Sequence, residues 1–257
     1  MTHVDLNCDM GESIGPWPMG NDAAVLPCVT SISVACGFHA GDPSVMRATV
    51  TAAAAHGVAI GAHPGLPDLA GFGRRDMAIS LQEAYDHTAY QLGALQAICT
   101  TAGTQVRHVK PHGALYNMAA VREDLADAIA RAVRDVDPSL ALFGLSGSAL
   151  IDAGTHCSLR VVSEVFADRH YQPDGTLVPR SHPQALVTDV DLATERALRM
   201  VQHRSIVAID GSHVPVTPDT ICIHGDGRSA QQFALRIRAA LHAAGIDVRA
   251  PHAARHA

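Results

Sequence analysis

Short apolar runs alternate with longer helix-patterned stretches along the whole chain, and this alternation limits the fold more than any single motif does. Strands are predicted near 3–8, 31–37, 58–62, 106–110, 140–145, 159–165 and 220–224, and the run "SIVAID" at 205–210 is a candidate extra strand. Helices are predicted near 43–56, 80–102, 121–136, 147–154, 190–203 and 228–244. Ser80 and Glu83 have the spacing of a capping box, and Gly103 stops the helix that they start. Such β-α order makes a parallel sheet, either open or closed into a barrel. No repeat or low-complexity linker divides it. Residues 1–250 are therefore expected to form a single domain, with 251–257 ("PHAARHA") as a tail. The long non-helical stretches 64–79 and 167–189 are candidate functional loops.

The opening strand, "DLNCDMGE", alternates Asp5, Asn7 and Asp9 with Leu6, Cys8 and Met10. Period-two alternation gives one polar and one apolar face. The chain is 47% hydrophobic and 17% charged, so a sizeable core surrounds this strand. The polar face is expected to look into a barrel interior, toward its top, and not at water. The opening run leads on to Glu12, and the other apolar runs end on ionisable or polar groups: His39 and Asp42, His63 and Asp68, Lys110 and His112 with Asn117, Glu164, Asp168 and Arg169, and finally His224 and Asp226. The C-terminal edge of a parallel α/β sheet is where active sites lie. One strand-end histidine is commonly structural, but His39, His63, His112 and His224 together indicate a site. His108 shares strand parity with Lys110 and either faces inward or is structural. The histidines at 3, 56, 87, 156, 203, 242, 252 and 256 read as solvated surface.

Composition removes several function classes. A net charge of −6 without a basic cluster argues against nucleic acid, and 4% aromatic content argues against a sugar platform. The six cysteines show no paired spacing and read as free, buried thiols in a reducing compartment, with Cys8 and Cys36 as packing residues. No leader and no membrane span are expected, which suits the cytoplasm. The chain lacks GxxxxGK[ST], an opening GxGxxG and GxSxG. Water is then the expected nucleophile, with a His or Asp as its base and a metal left open. The glycines of "CGFHAGDP" and "IHGDGRSA" make either an anion site at a helix start or tight turns only.

The motifs "DLNCDMGE", "ACGFHAGDP", "GVAIGAHPG", "GFGRR", "RHVKPHGALYN", "EVFADRHYQPDGTLVPRS" and "ICIHGDG" occur in order across residues 3–249. Together they closely resemble the LamB/YcsF family, the A subunits of prokaryotic 5-oxoprolinases. The resemblance implies a seven-stranded parallel β/α barrel similar to the glycoside hydrolase/deacetylase superfamily. It implies ATP-dependent opening of 5-oxo-L-proline to L-glutamate, with ATP as cosubstrate of a complex formed with partner subunits B and C. On this reading the base is Asp9 or His39, with His63, His112 and His224 close by. Lys110 and Arg169 hold anions, and Arg180 contributes if 167–189 folds over the mouth as a lid. Asp5, Asn7, Glu12, Asp42, Asn117, Glu164, Asp168, His224 and Asp226 complete the expected substrate- and anion-binding set. The alternative is a metal-dependent deacetylase-like hydrolase acting alone, with a divalent ion on Asp9, His39 and His63. A third reading is a non-catalytic scaffold. Two positions depart from the family pattern: Ser33 where an Asn is expected, and His170, expected to narrow the mouth.

Overall fold

In the computed structural model, which describes residues 2–225, 227 and 229–251, the alternation is realised as ten strands. They are β1 (His3–Met10), β2 (Ser31–Ala35), β3 (Ala59–His63), β4 (Val106–Val109), β5 (Ala141–Leu145), β6 (Arg160–Phe166), β7 (Ser205–Val207), β8 (His213–Pro215), β9 (Thr220–Ile223) and β10 (Asp247–Val248). Seven parallel strands run in the order β1-β2-β3-β4-β5-β6-β9, and β9 pairs back onto β1, so the sheet closes. β10 adds to β1 at His3 and Val4. The "SIVAID" run does form a strand, but in the antiparallel β7–β8 hairpin outside the barrel. Asp226 and residues 252–257, the expected tail beyond Pro251, lie outside the described residues.

The helices are α1 (Asp22–Val25), α2 (Pro43–Ala55), α3 (Leu81–Thr101), α4 (Gly113–Val121), α5 (Glu123–Val136), α6 (Ala149–His156), α7 (Val190–His203) and α8 (Ala230–Ala243). The expected capping box starts α3: Glu83 N donates to Ser80 Oγ at 3.1 Å, and Ser80 N donates to Glu83 Oε2 at 2.7 Å. Gly103, at φ +70, ends that helix turn in the left-handed region. α4 is not anticipated by the sequence pattern. Its segment "GALYNMAAV" lacks a polar period, and His112 precedes it without a side-chain cap bond. Among the described residues no helix is long and apolar enough to cross a membrane.

Strand parity sorts β1 as the alternation requires. Val4, Leu6, Cys8 and Met10 are buried in the main core between sheet and helices. Full burial of Val, Leu or Met stabilises by roughly 1.5–3 kcal/mol each. All six cysteines are buried and unbridged. The opposite parity fills the barrel interior with a polar column. Gly61 lets it close: a Cβ there would collide with the His108 ring, which stacks on Phe143 with centroids 4.0 Å apart. His108 therefore faces inward, and its Nε2 meets Ser33 Oγ at 3.3 Å.

The column ends below in Asp5. Thr30 Oγ1 donates to Asp5 Oδ1, and Ser31 Oγ and Thr220 Oγ1 both donate to Oδ2, each at 2.6 Å. Burial nevertheless outweighs these bonds and pushes the Asp5 carboxyl up from 3.8 to about 6. Above about pH 4 the unfolded chain releases this proton while the folded chain keeps it, up to about pH 6. The contribution of Asp5 is thus fully present at low pH and is lost as pH rises through its folded value. Two units correspond to about 3 kcal/mol. The unfolding free energy of the wild type, relative to Asp5→Asn, is expected to fall by about that amount between pH 4 and pH 7. Urea titrations at a series of pH values measure it, and a pH-independent difference would refute it.

Candidate active site

Above Asp5 the column becomes charged. Lys110 Nζ lies 2.8 Å from Asp9 Oδ1 and 2.8 Å from Glu164 Oε1, and it donates to Asn7 Oδ1 at 3.1 Å. Asn7 Nδ2 donates to Glu164 Oε1 and Thr220 Oγ1, and Tyr116 Oη donates to Glu164 Oε2 at 2.8 Å. Burial works against the Lys110 charge, but the neighbouring anions, Asp9 foremost, raise its pKa well above the ordinary lysine value. Burial also opposes the Asp9 charge, yet His63 and Lys110 prevail and hold its pKa well below the usual carboxylate range. A neutral Tyr116 follows from burial and from Glu164, which push its hydroxyl up.

Beside Asp9 lies the imidazole cluster. His63 Nε2 is 3.4 Å from Asp9 Oδ2 and 2.9 Å from His112 Nδ1. His39 stacks on His112 with centroids 3.6 Å apart, and its Nε2 lies 3.6 Å from Glu12 Oε1. Burial, reinforced by neighbouring imidazoles, lowers the His39 and His112 pKa values well below the ordinary one. Phe72, at φ +56, turns its carbonyl toward His112 Nε2 at 2.8 Å. Such left-handed backbone at a bulky residue is uncommon and gathers at functional sites.

A cavity of about 600 Å³ opens above this floor. Asp9, Glu12, His63, Lys110, His112, Asn117, Arg169, Arg180 and His224 all line it. His39 and Glu164 support it from behind and below. His224 occupies another part of the wall, its Nδ1 2.8 Å from Asp168 Oδ2. His224 outweighs the effect of burial and lowers the Asp168 pKa. Asp168 itself borders an adjoining cavity of about 410 Å³. Both candidate loops contribute walls, through Arg74, Arg75 and Asp76 and through Leu177, Pro179, Arg180 and Ser181.

Several expected roles need correction. Asp5 and Asn7 do not line the cavity; their polar atoms are spent inside the barrel. Asp42 is the N-cap of α2, accepting from Ser44 N and Val45 N, and also takes Gly15 N at 2.7 Å. Lys110 is already flanked by two carboxylates and so is a counter-ion, not an open anion holder. Arg169 is buried; its Nη2 and Nε donate to the carbonyls of Val178 and Ala185, pinning the 167–189 loop. His39 does not line the cavity, which leaves Asp9 as the better placed of the two candidate bases. The trio Asp9, His39 and His63 is not the converging ligand set; Glu12, His39, His63 and His112 are, while Asp9 turns to Lys110. His170 borders a separate cavity with Gln184 and Arg196, away from the mouth. His87 is partly covered and meets the Phe38 ring edge-on. Sequence reasoning also missed Tyr116 and Arg74. Tyr116 lies four residues beyond His112, so recognising α4 would have placed it; Arg74 sits in "GFGRR".

The LamB/YcsF family model matches residues 4–256. The chain belongs to the LamB/YcsF family. Among relatives of this LamB/YcsF protein, the 5-oxoprolinase A subunit of Tolumonas auensis is 59% identical, covering 97% of this chain and 100% of that one. The 5-oxoprolinase A subunit of Bacillus subtilis is 56% identical, covering 97% of each. The lactam utilization protein from Thermus thermophilus superposes with a TM-score of 0.91 at 47% identity, over 97% of this chain and 100% of that one. The catalytic domain of a peptidoglycan N-acetylglucosamine deacetylase from Eubacterium rectale shares the fold alone, with a TM-score of 0.54 at 11% identity, over 100% of this chain and 91% of that one. The LamB/YcsF chain is thus a seven-stranded β/α barrel, the fold that it shares with that deacetylase domain.

Proposed function

We propose that this chain is the hydrolytic A subunit of a cytoplasmic, ATP-dependent 5-oxoprolinase that opens 5-oxo-L-proline to L-glutamate together with partner subunits B and C. The observation that carries the reading is 59% identity to the A subunit of a 5-oxoprolinase, over that relative's full length. The cavity chemistry supports it. A lactam carbonyl is a poor electrophile, and phosphorylation of its oxygen by ATP makes the carbon more reactive. ATP is then the cosubstrate of the complex, held by partners, which suits a chain without a phosphate-binding loop motif. Water attacks that carbon, the ring C–N bond breaks as the nitrogen takes up a proton, and a second water hydrolyses the resulting acyl phosphate to glutamate and inorganic phosphate. Asp9, ionised on the cavity wall, accepts the proton of the water. Arg74 and Arg180 bring positive charge to the rim for phosphate and carboxylate. The 64–79 and 167–189 loops, which wall the cavity, face the partners.

The test is ATP-dependent glutamate release by the chain alone, the partners alone and the mixture. Release only from the mixture is expected; release at the same rate by the partners alone would remove the chain from the reaction. A metal-dependent deacetylase acting alone is the second reading, favoured by the Glu12, His39, His63 and His112 cluster. Deacetylation of acetylated sugars by the isolated chain, with no glutamate release from the mixture, would establish it instead.

A further inference from the structure

The atoms that converge beside the cavity carry more acceptors than donors. The carbonyl of Lys110 lies 2.7 Å from His63 Nδ1, and that of Phe72 lies 2.8 Å from His112 Nε2. A carbonyl only accepts, so both ring nitrogens carry protons. In neutral rings the opposite nitrogens, His63 Nε2 and His112 Nδ1, carry lone pairs. Yet these two nitrogens face each other at 2.9 Å. Glu12 Oε1, a further acceptor, stands 3.7 Å from His112 Nδ1 and 3.6 Å from His39 Nε2. His39 is 0% exposed, and neither of its nitrogens has a hydrogen-bond partner among the described residues. Two facing imidazole lone pairs and a buried imidazole without a partner are costly, so the arrangement calls for a positive centre. One proton bridges a single pair of atoms; a metal ion accepts all four ligands at once.

We propose that Glu12, His39, His63 and His112 bind one divalent transition-metal ion, with Zn²⁺ as the reference ion. Their ligand atoms lie within 4.8 Å of one another. The short separations, 2.9 to 3.7 Å, suit atoms that each stand about 2 Å from a shared ion. Three imidazoles and one carboxylate favour first-row transition metals over Mg²⁺ or Ca²⁺. The Lys110 and Phe72 carbonyls fix the tautomers of His63 and His112, as outer-shell acceptors do at metal sites. The backbone also locks His39: a Cβ on Gly65 would approach its Nδ1 to 2.5 Å, and one on Gly73 its Cβ to 2.6 Å. A bound ion of this class supplies a Lewis acid in the cavity wall beside Asp9.

The test is metal uptake by the full chain after chelator treatment, independent of turnover. Zn²⁺ and Mg²⁺ are titrated by calorimetry, and Co²⁺ is followed by its visible d–d absorption. One Zn²⁺ per chain, Co²⁺ bands and no comparable Mg²⁺ uptake are expected. His39→Ala and Glu12→Gln should each weaken Zn²⁺ binding by about tenfold or more, while Asp5→Asn, at the far end of the barrel, leaves it unchanged. Lack of saturable Zn²⁺ uptake by the wild-type chain overturns the proposal, whatever the variants do. So does wild-type affinity in both ligand variants, which would place the ion elsewhere. Neither result touches the glutamate-release reading.

Discussion

Asp9→Asn is expected to lower glutamate release by the assembled complex by roughly two to four powers of ten, in kcat more than in KM. The amide matches the carboxylate in shape and still reaches Lys110 and His63, which stand 2.8 and 3.4 Å from the Asp9 oxygens. It cannot take a proton from water. The loss should therefore appear with an unchanged circular-dichroism spectrum and unchanged co-purification with the partners. Asp9 carries this weight because it combines three properties. It lines the cavity, it is held ionised against burial by His63 and Lys110, and it faces the imidazole cluster. Full turnover by the variant would leave the chain a scaffold whose charges only bind a ligand.

Lys110→Met is expected to cost the fold about 3–5 kcal/mol, besides abolishing turnover. Lys110 and Glu164 are 2% and 0% exposed, so removal of the ammonium leaves two carboxylates, that of Glu164 fully buried, without their counter-charge. Methionine keeps most of the volume, which confines the effect to charge. Chemical denaturation measures the loss. The double variant Lys110→Met/Glu164→Gln should recover part of it, because one stranded charge is gone; the amide oxygen keeps the bond from Asn7, and the Tyr116 hydroxyl can turn to accept from the amide NH2. A loss under about 1 kcal/mol in the single variant would mean that the column is not charged as described.

Much of the architecture was legible along the chain. Seven apolar runs became the seven barrel strands, and the Ser80–Glu83 cap was readable because it is local. Parity placed Asp5, Asn7 and Asp9 inside, and the strand ends carried the histidines to one rim. Parity alone did not separate Asp5 at the bottom from Asp9 at the cavity, since both obey the same alternation. Height along the strand separates them, and height is fixed by register, with Asp5 level with Thr220 and Asp9 level with Ser33.

The sequence by itself determined which faces are apolar and which strand ends carry ionisable groups, because those depend on backbone periodicity over a few residues. Only the tertiary structure decided what those groups do. Lys110 meets Asn7 across 103 residues and Glu164 across 54, Arg169 turns to loop carbonyls, and Glu12 joins His39 and His112. Charge state and tautomer follow from such partners and from the exclusion of water, which arise only when the barrel closes and brings distant strands into register.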